Sequence, residues 1–134
     1  MTRNGKQICG RVVSGEGRGT HFTRLARARR QFIDKLGIDP YPGTVNLIVV
    51  DAESRSVWDR LKDKPGVSIC NPNRNPQDCN ARCYRASIGE QVSGAIVLPE
   101  VADYARDQVE IIAAIGVREA LNINDGDTLI LEIP

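Results

Sequence analysis

Glycines 15, 17 and 19 alternate with Glu16, Arg18 and Thr20 directly after a strand-like run, Gln7 to Val13. Successive backbone N–H groups with no side chains in the way can face one concavity, and such a nest takes phosphate oxygens. If Phe22 opens a helix, its N-terminus adds a favourable dipole and unpaired donors. Arg18 adds charge. The spacing is neither the Walker A pattern nor the wider dinucleotide fingerprint, so a plain strand–helix loop stays open as the alternative.

The second segment is Pro40-Tyr41-Pro42-Gly43-Thr44-Val45-Asn46. Pro42 and Gly43 set a turn into a run of Val, Leu and Ile. Thr44 and Asn46 are two apart, so on a strand they share a face. An amide inside an apolar strand needs partners. Two neutral oxygens suit Mg²⁺ when a nucleotide's phosphates supply the negative charge; capping of the strand end is the competing use. Together the two segments point to a phosphate chain with its metal ion, and so to a nucleotide-using enzyme.

Other reactive types are weaker candidates. His21 is the only histidine and follows the glycine loop; its pKa range suits proton transfer, but an ordinary loop residue is the preferred reading. Cys70, Cys79 and Cys83 surround an Asn/Pro-rich stretch, with Cys9 far away in sequence. Structural zinc wants four ligands, usually as two close pairs. Reduced thiols are the preferred reading, with a zinc site or a disulfide as alternatives.

These groups must be carried by a small scaffold. After the first strand, Phe22, Leu25, Phe32, Ile33 and Leu36 recur at helical spacing, with Gly37 as the stop. Val45 to Val50 reads as a strand buried on both faces, and Ser54 to Lys62 as a short helix with Val57, Trp58 and Leu61 facing in. Asn71 to Ala81 reads as a loop. Tyr84 to Ile88 and Val92 to Leu98 form a hairpin around Gly89-Glu90-Gln91. Pro99 to Asp107 reads as a helix with proline in its first turn. Val109 to Ala113 is apolar apart from Glu110, Val117 to Leu121 is a helical turn, and Thr128 to Ile133 is a last strand after the Asn124-Asp125-Gly126-Asp127 turn. Many short strands, few helices and glycine turns predict a mainly β, single-domain barrel with short helices over residues 1–134; a mixed α+β sandwich is the competing fold.

The totals exclude other classes. With 134 residues, 41% hydrophobic and 26% charged, the chain has an ordinary globular composition. A net charge of +1 gives no general attraction to nucleic acid or membrane. No apolar run approaches a bilayer span, and the N-terminus lacks a signal-peptide core. A cytoplasmic protein, monomeric by default, is expected.

The chain resembles the CTP-dependent riboflavin kinases, best known from archaea. The residues that carry the resemblance are Gly10 with Val12-Val13-Ser14-Gly15, Gly17, Gly19-Thr20, Leu36-Gly37, the stretch Pro40 to Leu47, Tyr104, Asp107, Val109-Glu110-Ile111-Ile112-Ala113, Arg118, Leu121 and Asp125-Gly126-Asp127. The resemblance implies a cradle-loop β-barrel that transfers the terminal phosphoryl group of CTP to riboflavin, giving FMN and CDP. Carried over by position, Gly15, Glu16, Gly17, Arg18, Gly19 and Thr20 would hold CTP, and Ile115, Gly116, Val117 and Arg118 would touch the nucleotide near the cytosine. Thr44 and Asn46 would hold Mg²⁺. Glu110 would sit at the flavin site, orienting the ribityl chain or acting as base; pairing with Arg106 or Arg118 is its structural alternative. The family pattern has Arg-Thr-His where this chain has Val101-Ala102-Asp103, so Ala102 occupies the place of a threonine expected near the FMN phosphate, and Asp103 would repel that phosphate. Archaeal relatives often carry an N-terminal helix-turn-helix domain; with six residues before the first strand, none is expected in this sequence. The competing functions are a non-catalytic nucleotide- or flavin-binding domain and a kinase for a different small alcohol.

Overall fold

The computed structural model describes residues 6–14, 26–70, 81–100 and 104–134. The glycine loop at 15–20, His21, Cys79 and the 101–103 stretch with Ala102 lie outside the described residues.

Seven strands are described: β1 (Lys6–Val13), β2 (Val45–Val49), β3 (Val67–Ile69), β4 (Ala81–Ile88), β5 (Val92–Pro99), β6 (Gln108–Ala113) and β7 (Thr128–Ile133). Three short helices accompany them: α1 (Ala26–Gln31), which continues into a single π turn over Phe32–Leu36, α2 (Ala52–Lys62) and α3 (Val117–Leu121). The sheet order is β3-β4-β5-β6-β2-β1-β7, and β7 pairs back onto β4. Six strands therefore close into an antiparallel barrel. β3 and β7 share one edge of β4, β3 opposite residues 81–83 and β7 opposite Ser87 and Ile88.

Period-two alternation builds the interior. Ile8 and Val12 of β1, Leu47 and Val49 of β2, Ile96 of β5, Val109 and Ile111 of β6, and Leu129 and Leu131 of β7 belong to one buried cluster, with Val57, Trp58 and Leu61 of α2 closing it. Asp51 caps α2 by accepting from the Ser54 N–H at 2.7 Å. Ser54 Oγ in turn accepts from the Cys9 N–H at 2.8 Å and ties the helix to β1. A second cluster lies on the outer face: Ala28, Phe32, Leu36 and Ile38 cover Cys83, Ala95, Val97 and Ile112.

Several expectations are corrected. No helix is described within Pro99–Asp107: Pro99 is the last residue of β5, paired with Ala81, and Arg106 and Asp107 form a turn. Proline is tolerated at a strand end as well as in a first helical turn, so its signal was ambiguous. Ile33 is 42% exposed, because the π turn breaks the regular spacing that put it inward. β2 ends at Val49, with Val50 exposed, and only its interior side is fully apolar, since Asn46 is the buried residue of the other face. Ala81, assigned to a loop, opens β4, and the three-residue β3 was not expected.

Candidate functional site

The turn before β2 is fixed at both ends. Arg29 grips Asp39 with two hydrogen bonds of 2.6 and 2.8 Å, and the Tyr41 N–H donates to the Ala113 carbonyl at 2.8 Å. Gly43 has φ of 93°, a conformation that side-chain-bearing residues rarely adopt. The chain then enters β2 with Thr44 and Asn46 directed to the outer face.

β6 runs antiparallel beside β2, and its register places Glu110 directly opposite Asn46. Glu110 is wholly buried, and Asn46 is 4% exposed. The Thr44 hydroxyl donates to Glu110 Oε1 at 2.9 Å, and the Tyr104 hydroxyl donates to Oε2 at 2.5 Å. Gln108, two residues before Glu110 and on the same face, donates Nε2 to Asn46 Oδ1 at 3.1 Å. Burial, reinforced by the adjoining Glu110 carboxylate, pushes the Tyr104 phenol well above its ordinary pKa, so it stays a proton donor throughout the neutral range. The approach to β6 is pinned to α2 by two ion pairs, Arg55–Asp107 at 2.9 Å and Arg106–Asp59 at 2.9 Å. The arginine of each pair holds its partner carboxyl below the usual range.

The arginines considered as partners of Glu110 are engaged elsewhere. Arg106 pairs with Asp59. Arg118 meets Asp125 at 2.7 Å and donates to the Val13 carbonyl at 3.3 Å. Ser14 also donates to Asp125. Arg118 and Asp125 thus brace the root of the glycine loop, which starts one residue later.

Residues 115–118 come beside the proline turn. A cavity of about 180 Å³ is lined by Tyr41, Pro42, Gly43, Thr44 and Val45, by the end of β6, and by Ile115, Gly116, Val117, Arg118 and Glu119. Tyr41 and Ile115 are half exposed at its mouth. A Cβ at Gly116 would stand 3.3 Å from the Tyr41 ring, so glycine permits this close approach. A wider cavity of about 450 Å³ lies against Tyr104, between Trp58, Lys62, Arg82, Leu98 and Arg106. Trp58 is one of its lining residues, and its buried Nε1 has no hydrogen-bond partner among the described residues.

Sequence reasoning did not single out Gln108 or assign Tyr104 a role. For Gln108 a signal existed: a second polar residue at i−2 from Glu110 on an apolar strand shares its face. Of the cysteines, Cys83 is buried, Cys70 exposed and Cys9 intermediate. Among the described residues no group of three or more His, Cys, Asp or Glu is placed to hold a metal, and no helix is long and apolar enough to cross a membrane.

Comparison with known proteins matches the sequence to one family. Residues 12–133 match the family model CTP-dep_RFKase, described as a domain of unknown function, DUF120. Riboflavin kinase of Pyrobaculum islandicum is 38% identical over 128 residues, covering 95% of this chain and 60% of the relative. The riboflavin kinases of Methanosarcina acetivorans and Archaeoglobus fulgidus are each 33% identical over the same length, covering 53% and 54% of those proteins. The chain thus spans little more than half the length of the curated relatives it matches. With nearly all of its strands inside the matched region, this chain belongs to the CTP-dep_RFKase family.

Proposed function

We propose that this chain is a CTP-dependent riboflavin kinase, transferring the terminal phosphoryl group of CTP to the ribityl hydroxyl of riboflavin to give FMN and CDP. The observation that carries the reading is the hydrogen bond between Thr44 and Glu110, 2.9 Å long. It joins the wall of the cavity shared with residues 115–118 to a wholly buried carboxylate. A donor site and an acceptor site would then meet at one side chain.

The donor set suits Mg²⁺: Thr44 and Asn46 offer neutral oxygens from one strand face, and a hard cation that keeps several waters needs few protein ligands. When bound, Mg²⁺ neutralises charge on the transferring phosphoryl group. The glycine loop at 15–20 and the 115–118 segment would hold the nucleotide, with Arg118 bracing both. Glu110 would receive the ribityl hydroxyl and accept its proton as that oxygen bonds to the terminal phosphorus and the bridging oxygen leaves with CDP. Phosphoryl transfer asks chiefly for positioning and electrostatic support, which is what these residues supply. The flavin ring would lodge in the wider cavity beyond Tyr104, whose volume of about 450 Å³ is in the range of small-molecule sites.

The test is FMN formation followed by chromatography, with riboflavin, Mg²⁺ and each of CTP, ATP, GTP and UTP in parallel. FMN chiefly with CTP is expected. No FMN with any nucleotide overturns the proposal and favours a binding domain or another acceptor.

A further inference from the structure

Thr44 belongs to two places at once. It lines the smaller cavity, and its Oγ1 donates to Glu110 Oε1 at 2.9 Å. A hydroxyl has one proton and two lone pairs. The proton goes to Glu110, so toward a cation Thr44 would act through its oxygen lone pairs. The other oxygen of Glu110 takes the Tyr104 hydroxyl at 2.5 Å. Donors on both oxygens hold the plane of the carboxylate from two sides, inside a wholly buried position.

We propose that Thr44 is a positioning residue for the acceptor-site carboxylate as well as a cation ligand, so that the cation and flavin sites communicate through one hydroxyl. This rests on the riboflavin kinase reading above. A cation drawing on Oγ1 polarises the O–H bond and strengthens its hold on Glu110. A flavin hydroxyl seated on Glu110 steadies the same hydroxyl for the cation. Linkage requires the two effects on affinity to be equal in size. The hold on Glu110 needs no cation, and this separates the two roles of Thr44.

The experiment is riboflavin fluorescence quenching without nucleotide, first in EDTA and then with Mg²⁺, on wild type, Thr44→Ser and Thr44→Val, each with a melting curve. In EDTA, Thr44→Val should weaken riboflavin by about tenfold, the scale of a lost hydrogen bond to a charged group, and Thr44→Ser should stay within about twofold of wild type. Mg²⁺ should tighten riboflavin by about fivefold in wild type, a typical coupling between sites, and not at all in Thr44→Val. If the valine variant does not fold, Thr44→Ala takes its place. Riboflavin affinity in EDTA that is unchanged by loss of the hydroxyl overturns the positioning role while leaving the kinase reading intact. Wild type that never quenches riboflavin overturns the flavin reading, and this inference with it.

Discussion

Gln108 Nε2 donates to Asn46 Oδ1 at 3.1 Å, so the amide proposed to face the cation is oriented by a neighbour on the next strand. Partners behind a metal ligand commonly change metal affinity about 10- to 100-fold when removed. Gln108→Leu should therefore raise the Mg²⁺ concentration needed for half-maximal FMN formation by about tenfold, with riboflavin affinity in EDTA unchanged. Mn²⁺ binding followed by electron paramagnetic resonance checks the same point without turnover. An unaltered metal requirement would remove Gln108 from the site.

Glu110→Gln keeps the size of the side chain and one acceptor oxygen, but removes the charge and the proton-accepting role. Turnover should fall by about 100-fold or more, the usual scale of general-base catalysis, while KM for CTP stays within about threefold. Steady-state kinetics with each substrate varied in turn separates these. Equal activity would make Glu110 a structural carboxylate held by Thr44 and Tyr104.

The barrel has a tight point at Gly94. A Cβ there would stand 2.3 Å from the Ile112 carbonyl oxygen and 2.6 Å from Ile88 Cδ1. The first of these is backbone and cannot turn aside. Gly94→Ala should cost about 3 kcal/mol, as overpacking does, and lower the melting temperature on the order of 10 °C. A melting curve superimposable on wild type would show that β5 and β6 can separate without cost.

Burial pushes the Cys83 thiol up to about 12 from an ordinary 9.0, whereas Cys70 is exposed. Iodoacetamide at pH 8, read by peptide mass spectrometry, should label Cys70 well before Cys83, since the thiolate is the reactive form. The stability consequence has a definite sign. The unfolded thiol ionises near 9 and the folded one near 12, so the contribution is complete below pH 9 and is lost as pH rises toward 12. Denaturant midpoints should decline more steeply above pH 9 in wild type than in Cys83→Ala.

Most elements were legible because their residues carry a period. Val57, Trp58 and Leu61 predicted the inward face of α2, and the Gly89-Glu90-Gln91 turn predicted the β4–β5 hairpin; both are found. Val67-Ser68-Ile69 is too short to show a period at all. Ile33 was misplaced because a π turn is set by packing under Phe32 and Leu36, not by spacing. At the proposed site, residue types pointed to Thr44 and Asn46 and the family resemblance to Glu110, but their meeting depends on the β2–β6 register, which only tertiary pairing determines. The Gln108–Asn46 contact follows from that register, whereas the Tyr104–Glu110 contact depends on how the chain folds back before β6.

β1 pairs on one side with β2, close to it in sequence, and on the other with β7, the last strand described. The seam that shuts the cylinder joins β7 to only Ser87 and Ile88 of β4. Closure therefore waits for the last strand described, since β1 and β4 both need β7. While the ribosome adds residues at about 5–20 per second, β1 carries an unpaired edge until the final strand emerges. Lys6 and Arg11 of β1 are exposed, and charge along an open edge discourages pairing with another nascent chain.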